Sequence, residues 1–330
     1  MRETALPAGG VPSGEGCRAS HRTFHGHRTG DPTRPDEVRD MHGIHASLVT
    51  PFTRAGEVDL KSLERLAAHC LTGGASGLVA LGTTGEAATL TAAEQRAVLE
   101  TGRAVATEHG APLIVGAGTM GTEDSIRQAR ERAPLADALL VVVPYYLRPS
   151  DDGVIDHIAA IGAAVDVPLL VYNIPYRTGK HLSAEALLRL LELDCVLGLK
   201  HCPGGIDQDT LALFAARTGK VILCGDDAYT YPMLQLGACG AIAATACLAP
   251  EAFAAMAEAS RTCNTTRALT FHDALYPLVE ALFAEPSPAV LKACLADAGV
   301  IDDPAVRAPL RAPHPDSVAR ARDALHILPY

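Results

Sequence analysis

Short apolar runs and helix-like segments alternate along the chain from residue 44 onward. Most of the runs are near-continuous in Val, Leu, Ile and Ala, which is typical of strands covered on both faces of a parallel sheet. Eight runs have this character: 45–50, 77–82, 113–118, 138–144, 168–173, 196–200, 221–225 and 240–245. The pattern therefore predicts eight parallel strands.

Helix signals separate these runs. Asp59 precedes an apolar helical face that ends before Gly73, and Thr91 with Glu94 three positions later forms a capping box. Ser183 begins another such segment. Eight strand–helix units with no other sheet signal predict a (β/α)8 TIM barrel. The alternative is an open, doubly wound sheet, but no Gly-x-Gly-x-x-Gly turn follows the first run to hold a dinucleotide.

The two ends of the chain differ from this repeat. Residues 1–40 are rich in Gly, Pro, Arg, His and Thr and lack apolar periodicity, so we expect a disordered leader. Residues 41–250 carry the barrel pattern, and residues 251–330 continue with helical periodicity and no further strand. The helices predicted there are 252–259, 269–283, 287–298 and 317–325. They predict a C-terminal helical extension that packs on the barrel or on a neighbouring subunit.

Composition narrows the classes of function. The chain has 330 residues, of which 48% are hydrophobic, and this is enough for a barrel-sized core. A net charge of -10 argues against nucleic acid or an anionic membrane as a partner. No apolar stretch approaches the roughly 20 residues that a membrane-spanning helix needs. The nine cysteines include no Cys-x-x-Cys pair, which indicates reduced thiols in a cytoplasmic protein and no metal site.

Lys200 ends the sixth apolar run, at the point where a strand would leave a buried barrel. Burial lowers the pKa of a lysine amine, and a neutral amine attacks a carbonyl carbon to form a Schiff base. The alternative is a strand-end lysine whose amine reaches into water. Because barrel enzymes place their catalytic groups at the carboxyl ends of the strands, the residues after the other runs decide between these interpretations.

Those residues suit a small 2-oxo acid. Thr83 and Thr84 lie between glycines after the second run, and their hydroxyls form a cradle for a carboxylate unless the segment is only a tight turn. Tyr172 ends the fifth run and either carries protons or is a core tyrosine with a satisfied hydroxyl. Arg177 would bind a second carboxylate through two hydrogen bonds, although loop arginines also form surface pairs.

Two further strand ends leave their role open. Tyr145 and Tyr146 follow the fourth run and either extend a proton relay or close the mouth of the barrel. Asp226 and Asp227 resemble a metal-binding or glycosidase carboxylate pair. Because neighbouring residues of a strand point in opposite directions, we expect a turn or a supporting role for the two aspartates.

Several motifs together resemble one enzyme family. They are Gly82-Thr-Thr-Gly-Glu-Ala-Ala-Thr-Leu90, Pro144-Tyr-Tyr-x-Arg-Pro149, Tyr172-Asn-Ile-Pro-Tyr-Arg-Thr-Gly179, Gly198-Leu-Lys200, Gly225-Asp-Asp227 and Glu285-Pro-x-Pro288. In order and spacing, over residues 44–310, the chain is similar to the dihydrodipicolinate synthase and N-acetylneuraminate lyase family. The resemblance implies a lyase, a class I pyruvate aldolase on a TIM barrel. It also implies that Lys200 forms the Schiff base with pyruvate and that Tyr172 shuttles protons.

The resemblance assigns further roles and an assembly. Thr83 would link the catalytic tyrosine to Tyr146, which is supplied across a dimer interface, while Thr84 and the backbone of Ile242 would hold the pyruvate. The Thr-Thr pair and Arg177 favour the branch in which pyruvate condenses with aspartate 4-semialdehyde on the way to lysine. The covalent imine replaces any cofactor. The resemblance further implies that the chain forms a homotetramer or homodimer. It also implies that the small molecules it binds are pyruvate and an aldehyde.

The chain departs from this family at two places. After Lys200 it carries His201-Cys-Pro-Gly-Gly205, where an acidic residue, a small residue and Thr-Gly or Ser-Gly are usual. This leaves open a related aldolase or dehydratase for another 2-oxo acid or aldehyde, and a catalytically silent pyruvate-binding homologue is a third hypothesis. Ala92, Gln95 and Met120 stand where His, His and Asn are common in a lysine feedback site. We therefore expect no inhibition by lysine.

Overall fold

Eight parallel strands close into a barrel. The structure is a computed structural model that describes residues 41–329, so the leader predicted at 1–40 lies outside the described residues. The strands are β1 (Gly43–Ser47), β2 (Gly77–Ala80), β3 (Leu113–Ala117), β4 (Ala138–Val142), β5 (Leu169–Asn173), β6 (Val196–His201), β7 (Val221–Cys224) and β8 (Gly240–Ala243). Each strand pairs with its sequence neighbours, and β1 closes the circle against β8. The TIM-barrel prediction is confirmed.

Helices follow the strands and continue beyond them towards the C-terminus. They are α1 (Leu60–Thr72), α2 (Ala92–Glu108), α3 (Thr122–Arg132), α4 (Asp151–Gly162), α5 (Pro175–Thr178), α6 (Ala184–Glu192), α7 (Gln208–Ala215), α8 (Thr230–Leu236), α9 (Pro250–Arg261), α10 (Thr265–Leu282), α11 (Ala289–Asp297) and α12 (Pro315–His326). Within residues 41–329, no helix combines the length and the apolar character needed to cross a bilayer.

Side-chain caps fix where several helices begin. The Asp59 carboxylate accepts backbone N–H groups at the start of α1, and the Ser183 hydroxyl does the same for α6. Thr91 and Glu94 form both bonds of the capping box at the start of α2. Each cap satisfies N–H groups that the helix itself leaves unpaired and contributes about 1 kcal/mol. The helix starts read from the sequence at these three places are therefore correct.

Other boundaries differ from the sequence prediction by a few residues. Helix α10 begins at Thr265 and not at 269, because the Asn264 side chain accepts the N–H of Arg267 and supports one further turn. Helix α11 begins at Ala289 and not at 287, because a residue that precedes proline, as Ser287 does, is disfavoured in helical conformation.

The strands are buried on both faces. Side chains such as Val79, Ile114, Leu140, Leu170 and Leu223 fill the interior of the barrel, and all are at most 3% exposed. Their strand neighbours pack outward against the helices in a second, larger cluster. Burial of both faces explains why the strand sequences are continuously apolar. A polar side chain at a strand end is therefore an exception to the apolar pattern of the strands.

Candidate active site

Lys200 lies inside the carboxyl end of the barrel. It occupies the penultimate position of β6, beside Tyr172 of β5 and Leu223 of β7, and is 6% exposed. Its Nζ atom lies 4.3 Å from the centre of the Tyr172 ring. Burial lowers the pKa of the Lys200 amine, and nearby acidic groups offset only part of this effect. The site therefore favours the neutral, nucleophilic form of this amine.

Gly225 leaves the space that the lysine side chain needs. A Cβ atom at this position would lie 2.9 Å from Cε of Lys200 and 2.8 Å from Cβ of Cys202. Both distances are shorter than a van der Waals contact between carbon atoms. Any larger residue after β7 would push the lysine aside.

Hydroxyl groups line the side of the cavity next to Tyr172. The Tyr172 side chain is 6% exposed and hydrogen-bonds Thr83, and burial raises the pKa of its phenol. Thr83 and Thr84 lie in the 3-10 turn that follows β2. The Ser47 hydroxyl donates to Oγ1 of Thr84 over 3.2 Å. The phenol therefore stays protonated at rest and can pass a proton between Thr83 and a ligand beside Lys200.

One cavity of about 30 Å³ joins these side chains. Its lining includes every predicted site residue except Tyr146, namely Thr83, Thr84, Tyr172, Arg177, Lys200 and Ile242. A second cavity of about 580 Å³ shares Thr83, Tyr172 and Arg177 with it and is also lined by Tyr145. Tyr146 is 83% exposed and lines neither cavity. The barrel thus brings six of the seven residues together from strand ends far apart in sequence.

Asp226 and Asp227 support two different loops. The Asp226 carboxylate accepts the thiol of Cys202 over 2.8 Å and the N–H of Gly204 over 2.9 Å. The Asp227 carboxylate instead accepts the N–H of Thr245 over 2.6 Å and that of Ala244 over 3.2 Å, after β8. Burial raises the pKa of Asp227, and these hydrogen bonds oppose the rise. The two carboxylates are thus committed to separate backbone segments, as expected from their adjacency.

Sequence reasoning missed a buried ion pair behind the threonine turn. Glu86 has a left-handed backbone (φ 52°) directly after that turn, and its Oε1 lies 2.8 Å from Nζ of Lys292. Lys292 is fully buried on α11, donates to the carbonyl of Thr50 over 2.8 Å and lies over the Phe52 ring. The N–H of Arg307 donates to the other Glu86 oxygen over 2.9 Å. The available signal was a lysine within the otherwise apolar run 289–296.

Two polar groups lie outside the cavity around Lys200. Gln95 is one of the residues that differ from the usual lysine feedback site. Its side chain donates to two backbone carbonyls and accepts from the buried Arg132, so its polar atoms are already used in hydrogen bonds within the protein. The absence of inhibition by free lysine stays a prediction. Ligand atoms of His181, Asp207 and Asp209 lie within 4.8 Å of one another, but the two aspartates already accept helix N–H groups.

The chain is similar in sequence to proteins of one known family. The model of the dihydrodipicolinate synthetase family matches residues 40–327. A 4-hydroxy-tetrahydrodipicolinate synthase of Moorella thermoacetica is 40% identical over 269 residues, which are 81% of this chain and 91% of that protein. A second such synthase, from Protochlamydia amoebophila, is 36% identical over 262 residues, or 77% of this chain and 86% of that protein.

A solved structure agrees with these sequence matches. It is the chloride inhibited dihydrodipicolinate synthase from Acinetobacter baumannii complexed with pyruvate, which superimposes with a TM-score of 0.82 at 35% sequence identity. The match covers 86% of this chain and 97% of that chain.

Proposed function

Because the chain belongs to the dihydrodipicolinate synthetase family, we propose that it is a 4-hydroxy-tetrahydrodipicolinate synthase. This enzyme is a lyase of the class I aldolase type that condenses pyruvate with L-aspartate 4-semialdehyde. The observation that carries the proposal is the buried amine of Lys200, 4.3 Å from the ring of Tyr172 in a cavity lined by two threonine hydroxyls.

The first half of the reaction joins pyruvate to the enzyme. The pyruvate carboxylate would lie on the hydroxyls of Thr83 and Thr84, and the backbone of Ile242 lines the same cavity. The neutral Lys200 amine attacks the keto carbon, and the resulting carbinolamine loses water to give the imine. Tyr172 supplies the proton for the departing hydroxide, since its phenol stays protonated and is hydrogen-bonded to Thr83.

The second half forms the carbon–carbon bond. The Tyr172 phenolate left by the first half takes a proton from the methyl carbon of the imine, which restores the phenol and gives an enamine. The enamine carbon attacks the carbonyl carbon of the aldehyde. Tyr172 protonates the alkoxide that forms, and Arg177 binds the carboxylate of the aldehyde substrate. The amino group of that substrate then displaces Lys200 and closes the ring. The chemistry needs no cofactor, because the imine itself accepts the electron pair.

The proposal extends to the assembly and the compartment. Tyr146 lies exposed on a left-handed backbone (φ 64°), which suits a residue that completes the site of a neighbouring subunit in a homodimer or homotetramer. A cytoplasmic location is supported by the described cysteines, all of which are free thiols.

Two alternatives are tested together with the proposal. A related aldolase or dehydratase for another 2-oxo acid or aldehyde would use the same imine, and the unusual segment after Lys200 is the feature that favours it. Turnover with aspartate 4-semialdehyde and a panel of other aldehydes separates this candidate from the first. A silent pyruvate-binding homologue would retain the cavity and release no product.

The decisive experiment traps the covalent intermediate. We expect the protein incubated with pyruvate and borohydride to gain the mass of a pyruvate that has lost water and gained two hydrogen atoms. Lys200→Ala should abolish this adduct, because no other described lysine lines the cavity. Lys61→Ala, at an exposed lysine on α1, is the matched control and should trap as well as wild type. An adduct that survives in Lys200→Ala would refute the assignment.

A further inference from the structure

Tyr176, Cys202 and Asp226 meet in one hydrogen-bonded cluster beside Lys200, and we refer to them as the Tyr176 cluster. Tyr176 comes from the short helix α5, Cys202 directly follows β6 and Asp226 comes from the loop after β7. The Tyr176 hydroxyl lies 3.5 Å from Sγ of Cys202, and the thiol lies 2.8 Å from the Asp226 carboxylate. Tyr176 lines the same cavity as Lys200. The cluster therefore joins three strand ends at the wall of the active site.

The hydrogen bonds of the cluster have one direction. Cys202 is 1% exposed, and burial raises the pKa of its thiol, so the sulfur keeps its proton and donates it to Asp226. The same sulfur then accepts the hydroxyl proton of Tyr176. Asp226 also accepts the N–H of Gly204, so the segment after Lys200 is fixed at two points.

Tyr176 also contacts the arginine that we assign to the second substrate. The Arg177 guanidinium lies 5.8 Å from the centre of the Tyr176 ring, within the range of a cation–π contact. Among the described residues, its guanidinium makes no hydrogen bond and no ion pair, although it lines both cavities. The orientation of Arg177 therefore depends on the ring beside it, and that ring is held by Cys202.

We propose that Tyr176, held in place by Cys202 and Asp226, is a positioning residue that aims Arg177 at the carboxylate of a short aldehyde acid and so sets the choice of second substrate. The inference rests on the proposed function and adds residues to it. It also gives a role to the segment after Lys200 that departs from the family. A cysteine there serves as both acceptor and donor, which a small apolar residue cannot do.

The test compares two aldehydes of similar size, one with a carboxylate and one without. Succinate semialdehyde and butanal are each condensed with pyruvate, and the ratio of their kcat/KM values measures the preference for the carboxylate. Tyr176→Phe keeps the ring but loses the hydroxyl, and we expect this ratio to fall about three-fold. Tyr176→Ala should lower it about ten-fold, because the ring contact with Arg177 is lost as well.

The companion substitutions ask whether the cluster acts through its hydrogen bonds. Cys202→Ala should lower the ratio as Tyr176→Phe does, whereas Cys202→Ser retains a donor and an acceptor and should restore most of it. Cys263→Ala, at an exposed cysteine, is the matched control and should leave the ratio unchanged. The KM for pyruvate and the yield of trapped imine should change by less than about two-fold in Tyr176→Phe.

Equal slowing of both aldehydes in the Tyr176 variants would overturn the inference, since it would mean a general loss of structure. A Cys202→Ser variant as impaired as Cys202→Ala would do the same. A wild-type protein that traps the imine but shows no preference for the carboxylate would overturn this inference and the role proposed for Arg177, and would leave the covalent chemistry of Lys200 intact. Failure of the wild type to trap any imine would overturn the proposed function itself.

Discussion

At the scale of single residues, the amine of Lys200 is the group on which the proposed chemistry depends. It lies beside the Tyr172 ring and is almost completely shielded from water. When an apolar run ends in lysine, the lysine more often reaches solvent at the end of a strand than lies buried as a catalytic group. The structure resolves this ambiguity, because Gly225 leaves the long side chain room to stay inside the barrel.

The lowered pKa of Lys200 predicts how imine formation depends on pH. In the proposed mechanism the neutral amine is the nucleophile, so the rate should fall on acidification and rise with pH until the lowered pKa is passed. Because burial lowers that pKa, the plateau should be reached below 10.5, the ordinary value for lysine. The initial rate of borohydride-trapped adduct, measured from mildly acidic to alkaline pH, checks this. A rate unchanged on acidification, or still rising near the ordinary lysine pKa, would contradict it.

At the scale of elements, the start of α2 connects local capping to the C-terminal region. Glu94 closes the capping box with Thr91, and its carboxylate also binds the guanidinium of Arg307. The sequence predicted the first interaction, because a capping box follows from residues three positions apart. It did not predict the second, because Arg307 lies 213 positions away along the chain.

Glu94→Gln should therefore destabilise the protein in a pH-dependent way. The hydrogen bond from Arg307, followed by that from Thr91, lowers the pKa of Glu94 from 4.5 to about 2. A carboxylate with a lowered pKa stabilises the fold fully above its unfolded-state value, and this contribution is lost as pH falls towards about 2. Near neutral pH we expect a loss of about 0.5–1 kcal/mol, which should shrink steadily below pH 4.5.

Urea denaturation of both proteins at a series of pH values measures this difference. Glu100→Gln is the matched control, because within residues 41–329 Glu100 pairs only with Arg96, on the exposed side of the same helix. Its effect should be close to zero throughout. A destabilisation by Glu94→Gln that stayed constant down to strongly acidic pH would show that charge is not its cause.

At the scale of the whole molecule, the ion pair of Glu86 and Lys292 ties the barrel to the C-terminal helices. Its partners are 206 positions apart and at most 5% exposed. Burial lowers the pKa of Lys292, while the charge of Glu86 opposes this shift. Because Glu86 directly follows the turn that carries Thr83 and Thr84, the pair also holds the proposed pyruvate cradle in place.

Removal of one partner of this pair should be costly. Lys292→Met leaves the Glu86 carboxylate buried without its cation, and we expect a loss of about 3–5 kcal/mol in the free energy of unfolding. The double variant Glu86→Gln with Lys292→Met should lose less than the sum of the two single variants, because no charge is left uncompensated. Chemical denaturation measures all three, with Lys61→Met as the surface control. Strict additivity would contradict the role of the pair.

The assembly can be tested by mixing two inactive subunits. If Tyr146 completes the site of a neighbour, a Lys200→Ala subunit supplies an intact Tyr146 to the intact lysine of a Tyr146→Phe subunit. Unfolding and refolding an equal mixture should then restore about a quarter of wild-type turnover, since half of the dimers are mixed and each has one complete site. Each variant refolded alone is the control. No gain on mixing would contradict a shared site.

The sequence by itself determined the eight-stranded barrel and the strand ends that carry the candidate chemistry. Continuous apolar runs and helix caps are local signals, and a closed parallel barrel brings the carboxyl end of every strand to one rim. Six of the seven predicted site residues line one cavity. Five of them were read from strand ends, whereas Ile242 was implied by the family resemblance. The seventh, Tyr146, lies exposed, and the subunit-mixing experiment tests whether a second copy of the chain brings it into the site.

Only the tertiary structure decided which side chains support that rim. Lys292 meets Glu86, Tyr176 meets Cys202, and Cys202 meets Asp226, across separations along the chain that no local pattern encodes. Burial of an unpaired charge or hydroxyl is costly, so each of these groups needs a complementary partner close in space. Which residue becomes that partner depends on how the strands and helices pack.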